Sequence, residues 1–247
     1  EMWDPLSGET HSLPEFAIKN ERMQIPLQFE QYQSFFIVFD KNRKTRPTLN
    51  TQVKNFSEPK VFMVINSPWN VSFDPKWGGP KNIVFNKLED WTTNKIEGIK
   101  YYSGIAKYHN TINIPKSITT DKNKDIFLDL GEVNNMARIR VNGKDMGVVW
   151  TSPFQLKITD AILPGINQID IEVANLWPNR LIGDEQFPDD GIKDNQWPDW
   201  LLKKQPRTSG RYTFTTLKFF KKDSELLKSG LIGPVRILIK SKILNEN

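Results

Sequence analysis

Two adjacent residues, Asn142 and Gly143, constrain this chain more than any others. Both residue types tolerate positive φ, which the central positions of the favoured two-residue hairpin loop require. Strand-forming residues run up to and away from them, Ala137–Val141 on one side and Asp145–Val149 on the other. The sequence therefore predicts an antiparallel hairpin here. The surrounding chain continues in the same style. Asp125–Leu130, Met146–Trp150, Phe154–Ile158 and the closing run Gly233–Ile239 read as strands separated by Gly, Pro, Asn and charged residues. Tyr102–Ile114 is long enough for one bent strand or a strand pair. Ile166–Ala174 alternates, with Ile169, Ile171 and Val173 pointing one way and Asp170 and Glu172 the other. Helical signal is thin: Thr159–Leu163 and Asp199–Lys204 each suit a single turn. Nothing alternates strand with helix, so an α/β barrel is not encoded and the predicted fold class is all-β.

Nearer the start, Met23–Phe29, Ser34–Phe39 and Val61–Ile65 are rich in branched and aromatic residues. Phe35–Phe39 is continuous rather than alternating, which predicts a strand covered on both faces. About five strands fall before residue 67, where a complete sandwich usually has about seven. Residues 1–66 therefore read as a small β-sandwich segment, the end of a domain whose earlier strands are missing. Ser67–Pro80 is punctuated by Pro and Gly as a junction would be. Residues 67–247 read as a second β-domain.

Composition excludes several chemistries. Net charge is +5, but the charges are interspersed and the basic clusters, such as Lys203-Lys204 and Lys221-Lys222, are short. No nucleic-acid partner is expected, since that would take a basic stripe with stacking aromatics. The absence of cysteine removes thiolate zinc sites and thiol catalysis. His11 and His109 are the only histidines, too few for a zinc site, and no Ser-His-Asp logic is readable. No stretch approaches the roughly 20 apolar residues of a membrane span. Glycoside hydrolysis uses two carboxylates about 5–9.5 Å apart. With 29 acidic residues, candidate pairs are plentiful and single none out. No catalytic residue is expected within this chain.

Asn175–Arg211 shows no strand pattern, and loops of that length tend to be functional or interface-forming. It carries Trp177, Trp197 and Trp200, with Asp184, Glu185, Asp189, Asp190 and Asp194. Sugars stack an apolar face on Trp and fix their hydroxyls with Asn, Asp or Arg. Trp177, Asn179, Arg180 and Asp184 supply that chemistry, and Trp150 at the end of the hairpin is a candidate neighbour. These five are the expected carbohydrate-binding residues. The competing structural reading has Trp177 and Arg180 packing the loop onto the sandwich, Arg180 paired with Asp184.

Arg138-Ile139-Arg140-Val141-Asn142-Gly143-Lys144-Asp145-Met146-Gly147, then Pro153-Phe154, Ile158-Thr159, Leu163–Asn167 and Ile171–Asn175, resemble a galactose-binding-like jelly roll of the kind attached to family 2 glycosidases. A second set comprises Phe73, Gly78-Gly79-Pro80, Leu88–Thr92, Tyr102–Tyr108, Asn175–Asp184 and Ser229–Val235. In that order they resemble the C-terminal region of glycoside hydrolase family 106, the α-L-rhamnosidases, and Trp3–Glu9 is similar to the small β-domain that precedes it. The resemblance covers nearly the whole chain. It implies an accessory β-sandwich region of a periplasmic or extracellular enzyme degrading polysaccharide, with carbohydrate and an upstream catalytic barrel of the same polypeptide as partners. That barrel is absent here. The jelly-roll class often carries structural calcium, and the loop acids offer oxygens to such a hard cation, against the plainer reading of a solvated acidic loop. The alternative function is a free-standing carbohydrate-binding module or lectin-like protein.

Overall fold

The computed structural model describes residues 1–39 and 54–241. Its regular structure is mostly strand, in antiparallel sheets, as the all-β expectation requires.

The first segment is built from short pieces. β1 (Met2–Trp3) lies between β2 (Thr10–His11) and β5 (Phe36–Ile37), while β3 (Ala17–Lys19) pairs with β4 (Arg22–Gln24). β4 thus keeps only the start of the strand expected at residues 23–29, and β5 only the middle of the one expected at 34–39. Pro26 has no N–H to give to a ladder, which explains the stop after β4. The expectation that Phe35–Phe39 is covered on both faces is corrected: Phe36 and Phe39 are 62% and 65% exposed.

The remaining strands form a sandwich. β6 (Lys60–Val64), β7 (Trp69–Ser72), β8 (Ile83–Phe85), β9 (Ile105–Ile114) and β10 (Lys124–Asp129) come first. β11 (Glu132–Asn134), β12 (Met136–Val141), β13 (Lys144–Val149), β14 (Gln155–Lys157), β15 (Gly165–Ala174), β16 (Gly230–Gly233) and β17 (Arg236–Ser241) follow. One sheet has six strands in the order β13-β12-β15-β9-β7-β8, the other four in the order β14-β10-β17-β6, and β11 pairs with β16 beside them. β6 bonds to β17, so residues 60–64 belong to the sandwich rather than to the segment before it.

The hairpin forms as its turn chemistry predicts. Asn142 and Gly143 adopt φ of 51° and 78°, and Val141 pairs with Lys144. Asn142 also ties the turn down: its Nδ2 donates to the Ala161 carbonyl at 2.8 Å, and its Oδ1 accepts from the Gln168 N–H at 2.9 Å. β15 pairs along its full length with β9, so Tyr102–Ile114 contributes a single strand. Ile169, Ile171 and Val173 are fully buried and Asp170 and Glu172 face outward, as the alternation requires. Ile126, Leu128 and Ile237 of the four-stranded sheet join Ile139, Ile171 and Tyr108 of the six-stranded one in a shared core. Each such side chain, fully buried, contributes about 1.5–3 kcal/mol. The core centre is aromatic: Trp91 Nε1 donates to Tyr108 Oη at 2.7 Å, and burial pushes the Tyr108 phenol well above its ordinary pKa.

Short helices sit between strands: α1 (Glu97–Lys100), α2 (Lys116–Thr119), α3 (Pro178–Asp184) and α4 (Asp199–Leu202). The single turn expected near Asp199 is α4. No strand forms between Asn175 and Arg211, as expected, and α3 and α4 lie within that stretch.

Candidate functional site

β15 ends at Ala174 and hands the chain to a long excursion that returns only at β16. The exit is bolted to the sandwich. Asn175 Nδ2 donates to the Tyr102 carbonyl and to Ser229 Oγ, while its Oδ1 accepts from the Gly104 N–H. Ser103 Oγ donates to the Leu176 carbonyl and accepts from the Arg180 N–H. Pro178 then starts α3, where its missing N–H costs nothing and its fixed φ suits a helix.

Three of the expected sugar ligands lie on α3 and are inside the protein. Asn179, Arg180 and Asp184 are 1%, 3% and 2% exposed. Asn179 Nδ2 donates to the Leu227 carbonyl and Ser229 Oγ, and its Oδ1 accepts from the Leu227 N–H. Arg180 Nε donates to Asp184 Oδ1 at 3.2 Å, and its guanidinium lies 4.6 Å from the centre of the Tyr212 ring. Burial pushes Arg180 below the usual arginine value, with Asp184 pulling it back. Asp184 accepts in addition from the Tyr212 N–H, the Thr213 N–H and Thr213 Oγ1. Asn179, Asp184 and the Arg180 Nε bond to their own chain, and the Arg180–Asp184 pair is the one the structural reading anticipates.

The two tryptophans differ. Trp177 is half-exposed and meets Trp77 edge-on, ring centres 5.0 Å apart. Trp150 follows β13 and is 60% exposed. Ala137 pairs with both Val149 and Val173, so Trp150 and Trp177 leave the same end of the six-stranded sheet.

Beyond α3 the excursion is an arm held by paired charges. Arg211 reaches Glu185 at 2.8 Å and donates to the Phe187 and Pro188 carbonyls. Arg207 makes a bidentate pair with Asp190, Nε–Oδ2 2.7 Å and Nη2–Oδ1 2.6 Å, and also donates to the Thr213 carbonyl. That pair holds the Asp190 carboxyl down at about 2. Lys218 pairs with Asp189, whose pKa is lowered for the same reason. Around these pairs Trp197 and Trp200 pack on Phe214. The acids proposed for calcium are thus largely engaged by arginine and lysine. Among the described residues no group of three or more His, Asp or Glu is placed to hold a metal ion. The residues do not fit the calcium expectation.

A concavity the sequence reading missed lies on the outer face of the six-stranded sheet. It has a volume of about 390 Å³ and is lined by Asn70, Lys107, His109, Arg140, Asp170 and Glu172, among others. The alternation of β15 placed Asp170 and Glu172 outward, but only strand register reveals what stands beside them.

These features define a β-sandwich region without a barrel among the described residues, and comparison with known proteins relates it to glycoside hydrolases. No family model matches the chain. The solved structure of a rhamnosidase from Novosphingobium sp. PP1Y superposes at a TM-score of 0.78 with 30% identity, over 97% of this chain and 20% of that one. A Formosa agariphila protein named "Putative beta-glucuronidase" is 41% identical over 191 residues, which cover 76% of this chain and 16% of that protein. The chain therefore spans a fifth or less of the length of these relatives. No helix among the described residues is long and apolar enough to cross a membrane.

Proposed function

We propose that this chain is an accessory, non-catalytic β-sandwich region of a glycoside hydrolase, working beside a catalytic barrel supplied by polypeptide outside it. One observation carries the reading: 97% of the chain superposes on one fifth of a rhamnosidase. The motif order that resembles family 106, with its galactose-binding-like jelly roll, supports the same assignment. The two relatives bear different activity names, so the common ground is glycoside hydrolysis rather than one sugar. A polysaccharide substrate, which the resemblance implies, fits a parent enzyme working in the periplasm or outside the cell.

The arm suits a docking role. Trp197, Leu202, Leu217 and Phe219 are 48%, 64%, 61% and 75% exposed, although the arm's backbone is clamped in place. Ordered backbone presenting bare apolar side chains is what a surface waiting for a neighbour looks like. The sheet's outward acids suit ion pairing better than catalysis. Asp170 is engaged by His109, and Glu172 by Lys107 and Arg140.

The test is turnover of aryl α-L-rhamnosides and aryl β-D-glucuronides by the purified chain. No hydrolysis above background is expected. Hydrolysis abolished by Asp170→Asn or Glu172→Gln would overturn the reading.

A further inference from the structure

We propose that the outer face of the six-stranded sheet is a binding cleft for a neutral, hydroxyl-rich sugar residue. This inference does not rest on the docking role of the arm, which involves other residues.

Strand register assembles the site. Asn70 pairs with His109, His109 with Asp170, and Asp170 with Arg140, forming one row across four strands. Ser72, Lys107, Glu172 and Arg138 form the next row. Neighbouring strands lie about 4.8 Å apart, so each row offers a polar group at about that interval. Donors and acceptors are intermixed. His109 Nδ1 meets Asp170 Oδ1 at 2.7 Å, and Glu172 Oε1 is reached by Lys107 at 3.4 Å and Arg140 at 3.2 Å. A carboxylate has about four lone-pair sites, so Asp170 and Glu172 keep acceptor capacity after these contacts, and Lys107 and Arg140 keep donors.

The charges of Lys107 and Arg140 balance those of Asp170 and Glu172, and Arg138 in the second row is paired with Asp145. A balanced, interleaved set attracts neither a strong anion nor a cation. It suits hydroxyl groups, each of which donates and accepts. The rows stand on a rigid support, because Tyr108 and Ile171 between them point into the core and are 1% and 0% exposed. Rigid strands and mutual ion pairs hold the polar groups in place before a ligand arrives. A volume of about 390 Å³ falls within the usual range for small-ligand sites.

An apolar border adjoins the polar rows. Ile105 pairs with Ala174 and Ala174 with Met136, and Trp150 follows the strand beside Met136. Ile105, Met136 and Trp150 are 53%, 45% and 60% exposed. An exposed indole at the rim offers a flat surface for the C–H face of a pyranose. The proposal gives Trp150 the stacking role expected from sequence, in the company of the sheet face instead of the α3 residues.

The experiment is a titration of the ¹⁵N-labelled chain with L-rhamnose, D-galactose and sodium D-glucuronate, read by amide and indole shifts. At least one neutral sugar should give saturable shifts at Lys107, His109, Asp170, Glu172 and the Trp150 indole. Arg140→Met and Trp150→Ser should each weaken binding about tenfold, roughly the loss of one charge-assisted hydrogen bond or one stacking contact. Trp150 is exposed, so its variant keeps the fold and keeps the test decisive. Trp177→Ser should change nothing. No saturable shift with either neutral sugar, binding of glucuronate alone, or binding indifferent to both substitutions would overturn the proposal.

Discussion

Trp91 and Tyr108 lie at the centre of the sandwich at 0% and 1% exposure, and Arg180 and Asp184 lie almost as deep at the root of the arm, at 3% and 2%. The first pair is held by apolar contact around one hydrogen bond between neutral groups. The second is an ion pair taken out of water, and most of the arm beyond it is tied by further ion pairs. Burial of hydrocarbon is insensitive to pH and tolerates small shifts. A buried ion pair stabilises only while both partners and their extra hydrogen bonds are in place. The arm is therefore ordered on conditions the sandwich does not share.

The largest effect should come from the sandwich side. Trp91→Ala removes the indole and leaves the Tyr108 hydroxyl with only its longer hydrogen bond from the Leu231 N–H. A loss of about 4 kcal/mol in global stability is expected, seen as a lower denaturant midpoint with arm and core melting together. Survival of a cooperative transition with near-normal midpoint would show that this aromatic centre is not what holds the sheets.

Asp184→Ala tests the other side. It strands the Arg180 guanidinium and the donors of Tyr212 and Thr213, at a cost of about 3 kcal/mol. Hydrogen exchange should speed up across residues 205–217 while β9 and β15 stay protected. If β15 loosens equally, arm and sandwich are one cooperative unit and the contrast fails.

Gly230→Ala probes the seam between them. Gly230 has φ of 104°, and an added Cβ would lie 2.4 Å from Trp91 Nε1. A loss of about 2 kcal/mol is expected from the combined backbone strain and overpacking. It should appear in both the denaturant midpoint and arm exchange.

The smallest effect is electrostatic. Asp190 is held at about 2 by Arg207, below the ordinary value of 3.8. A carboxyl depressed on folding stabilises above its unfolded pKa and loses that contribution as protons bind. The arm should therefore weaken as pH falls from about 4 to 2, by about 1 kcal/mol after solvent screening. Arg207 stacks 5.1 Å from the Trp200 ring centre, so Trp200 fluorescence is a direct readout. No change in this window while the sandwich remains folded would break the assignment of the clamp.

Much of the sandwich was legible because its signals are local. Asn142-Gly143 needs only its own backbone to turn, and Ile169, Ile171 and Val173 announce a buried face by spacing alone. α3 was not legible. It is a short helix, it opens on Pro178 without a side-chain cap, and Gly183 interrupts any pattern. The direction of Asn179, Arg180 and Asp184 was equally hidden, because it depends on Leu227, Tyr212 and Thr213, which lie far along the chain. The same holds for the outer cleft: His109 looks unremarkable until register sets it beside Asp170.

Local residue patterns were enough to specify antiparallel sheets, the place of the sharpest hairpin and the wet face of β15. Those are decided by φ preference and by period-two burial, both properties of neighbouring residues. Only the tertiary structure decided which polar side chains are interior bolts and which stand in the cleft. That choice depends on which strands become neighbours and which distant backbone groups arrive to satisfy buried charge.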